Sequence, residues 1–216
     1  MENKKNTILL SVIAVATLLV AVVGASFAYF TATGGTAVSK NVNVITGTAG
    51  SSSFEVSGAI SIYADATNFA SGKGDKSGSA TGTVKFTAPS AVGGTIADAD
   101  LKFCYSVTVN ITSNDFVYSV NTTTPELILD VTKGSTKVVD TMDITTKTGA
   151  IQVPTAKDGK TYIHTITATA GQSLTENWNV VVTLKNLAAD QNKNTGKSLA
   201  GTLRFAHVDC TSGAEI

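Results

Sequence analysis

Asn194-Thr195-Gly196-Lys197-Ser198 contains the Gly-Lys-Ser of a phosphate-binding loop, in which backbone N–H groups cradle phosphates and the lysine reaches the outer ones. The full motif needs a glycine five positions before Gly196, where Gln191 stands, and this stretch joins two strand patterns with no helix after it. Nucleotide binding is not expected. Asp190, Asn192 and Asn194 alternate like the first ligands of a calcium loop, but the glycine falls one place late and position twelve is Gly201, not glutamate. An Asx-rich turn is the expected reading here, and a solvated turn for Asp98 with Asp100.

His164 and His207 are the only histidines, and no His-Glu-x-x-His helix exists to bind zinc. There is no Gly-x-Ser-x-Gly elbow to present a nucleophilic serine. Neither catalytic, cofactor-binding nor metal-ligating residues are therefore assigned, and the chain is not expected to be an enzyme. Lys and Arg number 16 against 16 Asp and Glu, so no basic surface for nucleic acid forms either. Cys104 and Cys210 are better explained as a disulfide than as reactive thiols if the chain is exported, with two free thiols on separate strands as the alternative.

Any such residues must be positioned by strands. Leu101, Phe103, Tyr105, Val107, Val109 and Ile111 alternate with polar residues in a strict period of two. Trp178 to Leu184, Leu127 to Val131, and Leu203 with Phe205 repeat the pattern. Phe54–Tyr63, Ala80–Thr87, Phe116–Val120, Thr136–Ile144 and Thr161–Thr169 are further strands by composition. Turn residues separate them, as at Lys133-Gly134-Ser135 and Lys157-Asp158-Gly159-Lys160. Nine or ten short strands, about, predict an antiparallel β-sandwich of jelly-roll type, with a helical turn expected only in Ile96–Lys102 and Asn186–Asn192. Cys104 sits on the polar side of its strand, so its bridge crosses neighbouring strands or ties down the C-terminal tail.

The N-terminus carries Lys4 and Lys5 and then an apolar run from Ile8 to Val23. Small residues at Ser26 and Ala28 fit the −3 and −1 positions of a signal-peptidase site, which predicts cleavage between Ala28 and Tyr29. A retained membrane anchor is the alternative, because the run approaches the minimum length for a bilayer span. The expected organisation is a signal helix over 1–28, an extended segment over 29–53 and the sandwich over 54–216.

The junction Ala25-Ser26-Phe27-Ala28-Tyr29-Phe30-Thr31 resembles the signal sequences of TasA and camelysin-type exported proteins, which a SipW-type signal peptidase processes. Trp178 to Phe205, with Asn186-Leu187 and Asp190-Gln191 before Gly196-Lys197, is similar to a C-terminal pattern of such proteins. The resemblance implies a secreted or cell-surface subunit of an extracellular fibre or biofilm matrix in a Gram-positive-type bacterium. In such a fibre the mature N-terminal segment of one copy completes the sheet of the next. The two cysteines and the shorter body depart from the TasA pattern, and the zinc motif for a camelysin-like metalloprotease is missing.

A physical case for assembly needs no family. Within the Gly-, Thr- and Ser-rich stretch 29–53 lies one β-prone island, Ala37–Thr46, with Val38, Val42 and Val44 on one alternate face. Such a segment cannot build its own core, but it can pair with an open sheet edge. Donation to another copy, or to a related exported subunit, gives a filament. Pairing within its own chain or a flexible stalk is the alternative. A second function class is a monomeric adhesin or ligand-binding sandwich with contacts in Ala70–Ser79 or Asp190–Lys197.

Overall fold

The computed structural model describes residues 47–91 and 95–216 and forms the expected antiparallel β-sandwich. Its strands are β1 (Gly47–Thr48), β2 (Ser51–Ser57), β3 (Ile60–Tyr63), β4 (Lys76–Thr87), β5 (Ser90–Ala91) and β6 (Lys102–Asn114). They continue with β7 (Leu127–Lys133), β8 (Thr136–Asp143), β9 (Gly149–Gln152), β10 (His164–Thr167), β11 (Ser173–Leu184) and β12 (Ser198–His207). One sheet has the order β2-β4-β11-β7-β8; the other has β10-β6-β12-β3, with β9 also on β6. The chain changes sheet at most connections, as a jelly-roll-type path does.

Alternation explains the layers. Phe103, Tyr105, Val107, Val109 and Ile111 of β6 face Trp178, Val180, Val182 and Leu184 of β11 in one core cluster, each at most 4% exposed. Burying a side chain of this size contributes about 1.5–3 kcal/mol, so these two central strands dominate the fold. Gly82 of β4 leaves room for the Phe205 ring, which would collide with any Cβ there.

Several expectations needed revision. Phe54–Tyr63 is two strands in different sheets, split at Gly58, whose φ of 81° favours glycine. Phe116–Val120 is loop, because its N–H groups go to side chains and not to a strand: Phe116 to Asn114, Val117 to Asn194, and Ser119 and Val120 to Glu126. Thr161–Thr169 is strand only over His164–Thr167. That strand and β9, which was not anticipated, are two halves of one edge strand. β10 pairs with Lys102–Tyr105 and β9 with Thr108–Ile111 on the same side of β6, and an excursion over 153–163 separates them. Ile96–Lys102 holds only a turn, while single 3-10 turns form at Ala66–Phe69 and Asn192–Asn194.

Ser51, Ser52 and Ser53, read as the end of the extended segment, belong to β2 and pair with β4. β1 pairs with β5 and prolongs the same edge past Gly50 and Pro89. The expected signal helix, the cleavage point at Ala28 and Tyr29, and the alternate face of Val38, Val42 and Val44 lie outside the described residues.

Candidate functional site

The densest polar cluster joins the connections 115–126 and 185–197 at one end of the sandwich. Glu126, fully buried, accepts from the N–H and Oγ of Ser119 (both 2.5 Å), Val120 N–H (3.3 Å), Gln191 Nε2 (2.9 Å) and Asn194 Nδ2 (2.5 Å). Burial alone would raise its carboxyl pKa, but hydrogen bonds from Ser119, Gln191 and Asn194 outweigh that and hold it below the ordinary glutamate value. Every donor is neutral, so the carboxylate organises loops without a cation partner.

Asn194 also clasps Val117, accepting its N–H at 3.0 Å and donating to its carbonyl at 2.8 Å. Gln191 accepts from Leu187 N–H at 2.7 Å. Buried Thr145 accepts through Oγ1 from Glu126 N–H (2.9 Å) and Leu127 N–H (3.2 Å) and donates to Asp143 (2.7 Å). The Asp190, Asn192 and Asn194 series therefore does not converge on a calcium: Asp190 closes an Asx turn on Asn192 N–H at 3.0 Å, and Asn194 points inward. In the Gly-Lys-Ser stretch the N–H groups of Gly196 and Lys197 already bond to Ala64 and Asn194 carbonyls, so they form no phosphate cradle.

A second cluster spans the two sheets. The Tyr105 hydroxyl donates to Glu176 and accepts from Trp178 Nε1 at 3.1 Å; Lys133 pairs with the other Glu176 oxygen at 2.7 Å and lies 5.8 Å from the Trp178 ring centre. His164 stands edge-on to Trp178 at 4.9 Å, and its Nε2 lies 3.1 Å from the Val153 carbonyl oxygen. Burial lowers the His164 pKa. Lys133 and Glu176 continue the inward alternation of Leu127–Val131 and Trp178–Leu184, a signal of opposite charges at inward positions that the sequence reading missed.

The histidines do not meet. Both stand in register with Tyr105, one on each neighbouring strand, so they are two strand spacings or about 10 Å apart. Among the described residues no group of three or more His, Cys, Asp or Glu side chains is placed to hold a metal.

Cys104 and Cys210 form the expected disulfide, with Cα atoms 5.2 Å apart. Cys104 points out of the sheet yet is buried, and the bridge fastens the C-terminal turn across it. Val208 N–H donates to the Cys104 carbonyl at 3.0 Å, and Arg204 forks onto Glu215 with two bonds of 2.6 Å.

Several open clefts lie among the described residues, and two of them border sheet edges. One, of about 420 Å³, lies between β8 and the 153–163 excursion and includes Val138, Met142, Pro154, Lys157 and Tyr162. The other, of about 440 Å³, opens beside β2 between Ser52, Phe86, Phe103, Asp100, Lys102 and His207. Charged and polar side chains border both, among them Asp140, Lys157, Asp158 and Lys160 at the first and Asp100, Lys102 and His207 at the second. Comparison with protein-family models, curated proteins and solved structures found no match.

Proposed function

We propose that the chain is exported and is a structural subunit of an extracellular fibre or biofilm matrix, assembling by strand donation from residues 29–46. The observation that carries this reading is the place of β2. The described chain begins at β1 and continues into β2, the outermost strand of its sheet, so an extended strand added to the open side of β2 needs no rearrangement of the core. The polar clusters support it too, since their side chains are spent on one another and on loop backbone. The resemblance of the Ala25–Thr31 junction to TasA and camelysin-type precursors points the same way.

Electron microscopy and sedimentation of the exported protein test the proposal. Filaments or large oligomers are expected, and deleting Tyr29–Thr46 should leave a folded monomer. Monomers at high concentration, unaffected by the deletion, would favour an adhesin or ligand-binding sandwich. Chelator-sensitive casein cleavage that survives repurification would instead favour a camelysin-like metalloprotease.

A further inference from the structure

Four strand edges bound the two sheets, and three of them are protected. Along β8 there are two register shifts against β7, a φ of 51° at Thr141, and ion pairs from Lys137 and Lys157 to Asp140. Bulges and charges of this kind turn away an incoming strand. The β9–β10 edge is interrupted by the 153–163 excursion. β3 has only four residues; Lys76 Nζ donates to the Tyr63 carbonyl at 2.6 Å, and Ser61 presses against Gly78, where its oxygen would lie 2.5 Å from a Cβ.

β2 has no bulge, interruption or covering contact of this kind, and its one charged residue is Glu55. Its sequence Ser51-Ser52-Ser53-Phe54-Glu55-Val56-Ser57 has no proline, no lysine and an unbroken seven-residue register with β4. Among the described residues no hydrogen bond reaches its outer edge. Val56 stands opposite Gly82 on the core side yet is 46% exposed, and the 440 Å³ cleft continues that uncovered side past Ser52 to Phe86 and Phe103. One more strand beside β2 would cover both.

We infer that the outer edge of β2 is the acceptor, and that residues 37–46 of a second copy occupy it with Val38, Val42 and Val44 facing the core side. This rests on the strand-donation reading above. The occupant follows from chain chemistry. By chain length alone, a donor in the same copy that pairs up to residue 44 would have to reverse over Ile45 and Thr46, since β1 begins at Gly47. Tight hairpin turns need positive φ, which suits Gly, Asn or Asp and strains β-branched residues. A second copy meets no such constraint. Lys40 shares the inward face, where its stem can lie along apolar surface while the ammonium reaches the charged mouth of the cleft.

The test mixes two variants of the exported protein. Val56→Lys keeps its donor segment but carries a lysine on its acceptor edge, whereas deletion of Tyr29–Thr46 removes the donor and leaves the edge open. Each alone should sediment as a monomer with parental circular dichroism. Together they should give a one-to-one dimer that grows no further. If Val56→Lys assembles as the parent does while the deletion stays monomeric, the acceptor lies elsewhere and strand donation stands. If the deletion variant also assembles, strand donation fails and this acceptor with it. A second measurement avoids any folding defect of the lysine. Cysteine at Val38, Val42 or Val44 should crosslink under oxidation to Val56→Cys in a second copy and not to Thr136→Cys on β8, and the reverse pattern would overturn the assignment.

Discussion

The Tyr105 hydroxyl donates to the Glu176 carboxylate across the interior, fastening β6 of one sheet to β11 of the other. Trp178 Nε1 donates to the same hydroxyl at 3.1 Å and Lys133 neutralises the carboxylate at 2.7 Å. Burial, reinforced by Glu176, raises the tyrosine pKa, so it remains a protonated donor over the accessible pH range. The polar chain is fully partnered, the condition under which buried polar groups specify one packing and do not weaken it.

Tyr105→Phe should therefore destabilise the domain by about 1–3 kcal/mol, since it leaves the indole N–H and one carboxylate oxygen without their partner. Urea unfolding measures this, in a cycle with Glu176→Ala, which removes the acceptor. The two changes should be clearly non-additive, because both remove the same hydrogen bond. Additive effects would mean that the contact contributes nothing of its own.

Glu126 should matter more to loop order than any exposed acid. In Glu126→Gln the new amide nitrogen must face N–H or O–H donors, so at least one side of the five-donor shell loses its acceptor. A cost of about 2–4 kcal/mol is expected, from lost charge-assisted bonds and unsatisfied donors. Hydrogen exchange should quicken at Ser119 and Val120 first. Unchanged exchange there would remove Glu126 from its organising role.

How much of this was legible depended on range. The strands through Leu101–Ile111 and Trp178–Leu184 could be read because their period of two is local and deep burial follows from it. Pairing of the two cysteines was expected on the premise of export, and of the two courses the polar side of Cys104 allowed, across neighbouring strands or to the C-terminal tail, the bridge takes the second. The corner at Gly58 was not, since apolar and β-prone residues continue on both sides and only the backbone at that glycine turns. Phe116–Val120 has strand composition, but Asn194 and Glu126 take its N–H groups from 77 and 6–7 residues away. No local pattern reports such bonds. Asn186, Gln191 and Asn194 tie loops to one another, Asn186 to the Ala70 carbonyl, Gln191 to Leu187 N–H and Asn194 to Glu126, and those bonds could not be read from spacing.

Acid should weaken the fold in two separate windows. His164 has a lowered pKa in the folded protein because it is buried, so the unfolded chain binds its proton first, near the ordinary value of about 6.5. Stability is then full above that value and falls as the pH drops below it, by up to about 1.4 kcal/mol per unit until the folded pKa is reached. Glu126 is lowered as well, and its contribution is lost only below its ordinary value near 4.5. Urea midpoints between pH 7.5 and 5 should decline for the parent and stay nearly flat for His164→Gln. An equal decline in both proteins would assign the upper window to another group.

Reduction should release the C-terminal turn before it opens the sandwich. The Cys104–Cys210 bridge spans 106 residues, and on the chain-entropy model closing so long a loop stabilises a domain by about 4–5 kcal/mol, an upper figure when the unfolded chain retains structure. What the bridge holds locally is small: the Val208–Glu215 pairing, the Arg204–Glu215 fork and the bond from Val208 to Cys104. These are exposed or peripheral, whereas β6 and β12 remain paired through nine residues of β12. Cys104→Ser with Cys210→Ser should accordingly lower the unfolding free energy by several kcal/mol while leaving the circular dichroism of the sandwich intact at moderate temperature. Hydrogen exchange should accelerate first over residues 208–216, ahead of β12. Free thiols in the purified protein, or global unfolding with no earlier release of that tail, would show that the bridge does not act as this clasp.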